Sequence, residues 1–198
     1  MARKYDLISD LYNRTCKTVV SNPQNWQAFL ASACRNYKLR YDEQLLVYAQ
    51  RPDATAVLEI EQWNRIFGRW VNRGARGIAV FADENRTRQR LTHYFDISDT
   101  YESRYSRTVP IWDMRQEYEA DVIETLESTF GEIENKSSLA EAIMGAARNA
   151  AEDNIPDYLQ DLYYATEGSF LEEVDNDIVA SIYKNVVANS VAYMMMSR

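Results

Sequence analysis

The sequence predicts an α+β fold that is mostly helical, with a small antiparallel sheet in the first half and a helical second half. Three observations carry this. Apolar residues recur at helical spacing from residue 5 to about residue 50, and again from residue 117 to the C-terminal region. Between these stretches the period shortens to that of strands, in "RWV", "GIAVFA" and "LTHYFDIS". Stop residues stand where the pattern changes, among them Pro52, Gly68, Gly131 and Gly168.

Each element has its own signals. Residues 5–20 place Ile8, Leu11, Tyr12, Thr15 and Val19 on one helical face. "SNPQNWQAFLASACRNY" is a second helix. Asn22 is suited to cap it, Pro23 suits its first position, and Trp26, Phe29, Leu30 and Ala33 form its apolar side. "YDEQLLVYAQRP" is a third, with Asp42 as expected N-cap and Pro52 as stop. "ATAVLEI" reads as a short strand. "EIEQWNRIFG" reads as a short helix with Trp63, Ile66 and Phe67 inward, ended by Gly68. "RWV" and "GIAVFA" read as β segments around the turn "NRGARG", with "DENRTRQR" as a polar hairpin connection before "LTHYFDIS". In that strand Leu91, His93, Phe95 and Ile97 share the apolar face, which makes His93 a half-buried, satisfied residue rather than a catalytic one. "DTYESRYSRTVPIWDM" reads as irregular. The remainder holds four helical stretches: one ending at Gly131, one opened by a Ser138/Glu141 capping-box pattern, one closing at Gly168, and a long one from Phe170 to the apolar "VAYMMM".

Hydrophobic residues make up 46% of the 198, enough for a core in one large domain or two small ones. Charge divides the chain. Residues 1–92 hold 15 Lys and Arg against 9 Asp and Glu, whereas residues 93–198 hold 7 against 21. The expected organisation is a basic domain over 1–115 and an acidic helical region over 116–198. No apolar run reaches the eighteen residues of a membrane span, and "MARKYDLISD" has no apolar signal region, so a cytoplasmic protein without membrane contact is expected. Cys16 and Cys34 form no CxxC pair and the chain has a single His, which leaves zinc unsupported and makes reduced core thiols the simplest reading.

Catalytic motifs are missing: there is no HExxH, GxxxxGK[ST], GxSxG or GxGxxG. Asp96 and Asp99 in "DISDT" are close enough for Mg²⁺ or acid–base work, but strand-end capping explains them more simply. A non-catalytic protein with no cofactor is expected. What the basic half does offer is cations beside flat rings and amides: Lys38, Arg40, Tyr41, Gln44, Gln50 and Arg51, then Trp63, Arg65, Arg69, Trp70, Arg73 and Arg76, then Arg86, Arg88 and Arg90. Single-stranded nucleic acid is held by such mixtures, because guanidinium groups track phosphates while rings accept unstacked bases. Gly74 and Gly77 would supply positive φ and bring backbone N–H groups close to a phosphate. The competing reading makes the tryptophans core residues and "NRGARG" a plain turn with solvated arginines.

"NWQAFLASACRNYKLRYDEQLLVYAQRPDATAVLEIEQWNRIFGRWVNRGARGIAVF", with "YFDISDT" after it, resembles the N-terminal region of very large multi-domain DNA-processing proteins. Conjugative and integrative elements and phages of Gram-positive gut bacteria carry these. The resemblance covers about residues 22–115, through "QLLxYAQRPDAT", "WN…GRWVxRGxxGIAV" and "FDxSDT". More distantly the block is similar to the N-terminal single-stranded-DNA-binding domain of ArdC-type antirestriction proteins. Their protease-like HExxH is absent here, so no metal or protease function carries over. "SVAYMMMSR" resembles the point at which the large chains run on, which implies a fragment of a longer protein.

The resemblance implies a single-stranded-DNA-binding module serving conjugative transfer or antirestriction. Its expected contacts are Lys38, Arg40, Tyr41, Gln44, Arg51, Arg65, Arg69, Trp70, Arg73 and Arg76, with Trp70 and Tyr41 stacking on bases. Host or element-encoded DNA-processing proteins are further expected partners. The alternative places the working face on the acidic half, as a DNA mimic of anti-restriction or anti-CRISPR-like type that occupies a nuclease.

Overall fold

A computed structural model describes residues 3–82, 90–111, 114–170 and 172–197. The fold is α+β and mostly helical, with small antiparallel sheets in the first half and helices alone in the second. The chain divides into two compact units, Met1–Trp112 and Asp113–Arg198.

The first unit opens with three helices, α1 (Lys4–Val19), α2 (Pro23–Ala33) and α3 (Tyr41–Gln50). Asn22 caps α2 by accepting from the Asn25 N–H, and Pro23 fills a first-turn position whose N–H would have no helical partner. The expected cap of α3 moves. Its N-cap is Arg40, whose N–H donates to Glu43 Oε2 at 3.0 Å, so Asp42 lies inside the first turn, where its charge favours the helix N-terminus. Next come β1 (Val57–Leu58) and a short helix α4 (Ile60–Gln62) that widens into a π-helical turn, Trp63–Phe67. A π turn holds one residue more than an α turn and so rotates the chain beyond it. Trp63 is therefore sealed inside while Ile66, expected inward at helical period, faces solvent.

The strands are β2 (Arg69–Val71), β3 (Ile78–Phe81), β4 (Leu91–Asp96) and β5 (Thr100–Glu102). They form a three-stranded sheet of order β1-β4-β3 and a separate ribbon, β2-β5, all antiparallel. One expectation is corrected by the pairing. β2 and β3 flank the glycine turn but do not pair with one another, and the segment read as irregular after residue 99 supplies β5, the partner of β2. Residues 83–89 of the connection expected as "DENRTRQR", with Arg86 and Arg88, lie outside the described residues, and Arg90 at its end is exposed.

Buried Leu46, Val47, Ala54, Val57, Ile78 and Val80 form the first core, with Ile8, Leu11 and Tyr12 of α1 packed against it. Its polar seams are filled. Gln50 bridges α3 to β3, donating to the Ala79 carbonyl and accepting from the Ala79 N–H. The Tyr94 hydroxyl donates to Glu43 at 2.8 Å, and burial, then that carboxylate, push the phenol's pKa well upward. His93 is half-buried, and its Nε2 accepts from Lys4 Nζ at 2.9 Å. Burial first, then the nearby ammonium, hold the imidazole below its usual pKa. Cys16 and Cys34 are not joined in a disulfide, and the buried Cys34 thiol donates to the Ala31 carbonyl at 3.2 Å.

Asp96 anchors the end of β4. Its Oδ2 accepts from the backbone N–H groups of Thr55 and Ala56, and its Oδ1 from the N–H and hydroxyl of Ser98. Burial alone would raise the carboxyl's pKa, but these hydrogen bonds outweigh it and hold the pKa below the ordinary value. A folded pKa below the unfolded value of about 3.9 means stability that is present above that value and lost as pH falls through the folded one. The thermal midpoint is expected to drop below about pH 4, and Asp96→Asn should lower the neutral-pH midpoint and flatten this acid limb. An acid limb identical in the variant would show that Asp96 does not contribute to it.

The second unit contains α5 (Glu119–Phe130), α6 (Leu139–Asp153), α7 (Ile155–Thr166) and α8 (Asn176–Met196). Ser138 caps α6, as its spacing predicts. The last helix is shorter than predicted: it begins at Asn176, where Asp175 accepts from the N–H groups of Asp177 and Ile178. Small residues on α6, including Ala142, Ala146 and Ala147, share the core with Ala192 of α8 and let the two helices approach closely. Gly145 belongs to the same design, since a Cβ there would lie 2.7 Å from Ile133 Cγ2.

Candidate nucleic-acid interface

The ribbon β2-β5 and the turns that leave it bring together Trp70, Tyr101 and Tyr105 with Arg73, Arg76, Arg104 and Arg107. In its register Trp70 lies opposite Tyr101, with Arg69 opposite Glu102 and Val71 opposite Thr100. Directly opposed residues project to one face, with Cβ atoms roughly 4.5–5.5 Å apart. Trp70 and Tyr101 are 51% and 52% exposed, so that face carries two open rings on paired strands. Such a surface is rare on a buried-core logic, because two large rings left in water forgo their burial energy.

Arg69 takes the opposite face. It is buried, its Nε donates to Thr100 Oγ1 at 2.7 Å and its guanidinium pairs with Glu102 at 2.6 Å. It ties the strands together and is not a solvent-facing phosphate ligand, contrary to its expected role.

Because the strands are antiparallel, their outer turns lie at opposite ends of the ribbon. At one end the chain leaves β2 through Asn72, whose N–H donates to the Asp99 carbonyl, into the turn Asn72–Ala75 closed by a 3.0 Å hydrogen bond. Gly74 has a φ of +85° at the third position of this turn, and a Cβ there would meet nothing within 4 Å. The backbone is thus open on the outside. Arg73 and Arg76 flank it, exposed and without an ion pair among the described residues. Gly77, expected to have positive φ, does not. It is close-packed instead: a Cβ would lie 3.0 Å from His93 Cβ and Phe95 Cζ, so those side chains would have to shift to admit one.

At the other end, β5 leads into a turn that sequence reasoning left out of the site. The hydroxyls of Ser103 and Ser106 both donate to the Gly68 carbonyl at 2.9 Å, and the Arg107 N–H donates to Phe67 O. Gly68 has a φ of +63°, and a Cβ there would lie 2.8 Å from the Tyr105 carbonyl oxygen, so only glycine allows this turn to close onto β2. The turn presents Tyr105, 70% exposed, with the Arg104 guanidinium 4.4 Å over its ring and bonded to its hydroxyl. Arg107 is exposed close by in sequence. The signal for these residues was present in "YESRYSR", an alternation of rings and guanidinium groups.

The remaining expected contacts are dispersed. Trp63 is fully buried, with its indole N–H donating to Phe95 O at 2.8 Å. Arg65 is exposed on the π turn that precedes β2. Arg51 is half-buried and engaged by Asp99 and Ser98, so it secures the 3-10 turn at Ile97–Asp99. Asp99 is thereby a structural ion-pair partner, and Asp96 a capping residue, as the simpler reading had it. Gln44 donates to the Leu39 carbonyl at 3.0 Å and closes the chain between α2 and α3. Arg40 pairs with Asp42 and Glu43 in the same first turn. Tyr41 packs edge-on against Phe29 and is half exposed. Burial first, then Cys16, raise its pKa. Lys38 is exposed, with its ammonium 5.7 Å from the Tyr37 ring centroid. Lys38 and Arg40 lie in the α2–α3 connection and Tyr41 and Gln44 in the first turn of α3, away from the ribbon in sequence.

Among the described residues no cluster of three or more His, Cys, Asp or Glu is placed to hold a metal ion, and no helix is long and apolar enough to cross a membrane. No protein-family model matches the chain, and neither a curated protein nor a solved structure matches it.

Proposed function

We propose that the first unit is a non-catalytic module that binds single-stranded DNA across the β2-β5 ribbon. The observation that supports this most is the solvent-facing pair Trp70 and Tyr101 with an arginine-bearing turn at each end. Flat rings in water accept bases that are not already stacked, which favours a single strand over a duplex. Arg73 and Arg76 at one end, and Arg104 and Arg107 at the other, supply cations for the phosphates on either side of the stacked bases. The acidic total for the chain does not oppose this, because the field at the ribbon is set by its nearest groups: Glu102 is neutralised by Arg69, and Asp99 by Arg51. The resemblance over residues 22–115 supports the same reading. It implies a cytoplasmic module in a DNA-processing protein of a mobile element engaged in conjugative transfer or antirestriction.

The experiment is the salt dependence of binding. Arg73→Ala with Arg76→Ala should weaken binding of a labelled oligothymidylate. It should also make the slope of log K against log[salt] shallower by about 1.4, two phosphate contacts at roughly 0.7 each. An unchanged affinity and slope would remove these arginines from the interface.

A further inference from the structure

The second unit carries an apolar groove that its own fold leaves open. The groove runs between α7 and α8, has a volume of about 360 Å³, and is lined by Leu162, Val174, Ile182 and Val186, with Tyr158 and Tyr183 stacked at 4.1 Å along one wall. Ile182 and Val186 are 60% and 51% exposed, and Phe170, in the α7–α8 connection, is 88% exposed. Ile178, Ile182 and Val186 recur every four residues, so α8 presents a continuous apolar ridge to solvent there.

The charges around the groove have one sign. Between Arg148 and Lys184 the sequence has no Lys or Arg. Asp157 and Asp161 on α7, Glu167, Glu172, Glu173 and Asp175 in the connection, and Asp177 at the start of α8 are all exposed, and none has an ion pair among the described residues. An apolar trough with a wholly acidic rim repels a second acidic surface, including another copy of this unit, and repels anionic lipid. It complements a helix with an apolar stripe and a cationic polar face. We propose that the α7–α8 groove receives a basic amphipathic helix of a partner protein, with aliphatic side chains at i, i+3, i+4 and i+7 in the trough and Lys or Arg over the rim. This site is independent of the ribbon and lies wholly within the second unit.

The test uses the full chain and three labelled synthetic peptides of about 18 residues. The first is a Leu/Lys helix with leucines at that spacing, the second the same composition scrambled, and the third the patterned helix with Glu for Lys. The patterned Leu/Lys peptide should bind best by fluorescence anisotropy. Ile182→Asp with Val186→Asp should weaken it at least about tenfold, given the apolar burial lost. Asp161→Asn with Glu173→Gln and Asp177→Asn should flatten its salt dependence. Circular dichroism should be unchanged, since every substituted side chain is exposed. Equal binding of the scrambled or acidic peptide, no binding of the patterned one, or indifference to both sets of substitutions would overturn the proposal. So would sedimentation showing a dimer that Ile182→Asp dissociates, because the groove would then hold a second copy.

Discussion

Trp70→Ala and Tyr101→Ala are each expected to weaken single-stranded oligonucleotide binding roughly 5- to 150-fold, the range set by about 1–3 kcal/mol of stacking per base. Combined, they should leave only the arginine contribution, which salt abolishes. Neither side chain contributes to a core. Both stand about half in water on the outer face of the ribbon, whereas the groups that hold the strands together, Arg69, Thr100 and Glu102, are on the other side or in the strand pairing. The double variant should therefore lose only a modest part of its thermal midpoint, the cost of two half-buried rings and of a cross-strand pair worth roughly 0.2–1 kcal/mol, and stay folded. Trp70→Phe, which keeps a ring, should recover much of the affinity lost in Trp70→Ala. Loss of binding to the same extent in Trp70→Phe and Trp70→Ala would point to a role other than stacking. Undiminished binding in the double variant would take the ribbon out of the interface.

Trp63→Ala is expected to produce the largest loss of stability in the first unit, roughly 3–5 kcal/mol for emptying a fully buried tryptophan site. A further contribution comes from the Phe95 carbonyl, which loses the 2.8 Å indole hydrogen bond. Against a typical total of about 5–15 kcal/mol this removes a large share of the fold's margin. The consequence reaches the ribbon. Trp63 begins the π turn that delivers Gly68, and Gly68 fixes both the start of β2 and the closure of the Ser103–Ser106 turn. Trp63→Phe should cost less, since most of the volume stays and only the N–H is lost. Urea denaturation reads both. A loss below about 1 kcal/mol in Trp63→Ala would be incompatible with a sealed indole at this position.

Much of the helical framework was legible because its signals are local. Asn22 with Pro23, Ser138, Gly131 and Gly168 each act within one turn, and each marks a boundary the structure has. The strand pairing was not legible. β2 and β5 are three residues each, too short to carry alternation, and they meet across some thirty residues of chain. Nothing in "RWV" or "GIAVFA" itself names a partner strand. The deciding interactions are non-local: the buried guanidinium of Arg69 requires Thr100 and Glu102, and Gly68 requires the Tyr105 backbone against it. The inward reading of Ile66 failed for a single reason, the extra residue in the π turn. At the candidate site, composition identified Trp70, Arg73 and Arg76, but it ranked every basic residue of the first half alike. Only ion-pair partners separate Arg51, Arg40 and Arg69, which are structural, from the arginines left in solvent. Tyr101, Arg104 and Tyr105 were passed over because a strand of three residues inside a turn-rich stretch reads as irregular.

A fluorescence anisotropy titration of the unmodified chain, with one oligonucleotide offered single-stranded and as its duplex at a low and a high salt concentration, tests the ribbon as a single-strand site without any substitution. Tighter binding of the single strand, weakened but still preferred at the higher salt, is the expected result. Equal or tighter binding of the duplex, or no binding of either at low salt, would contradict it.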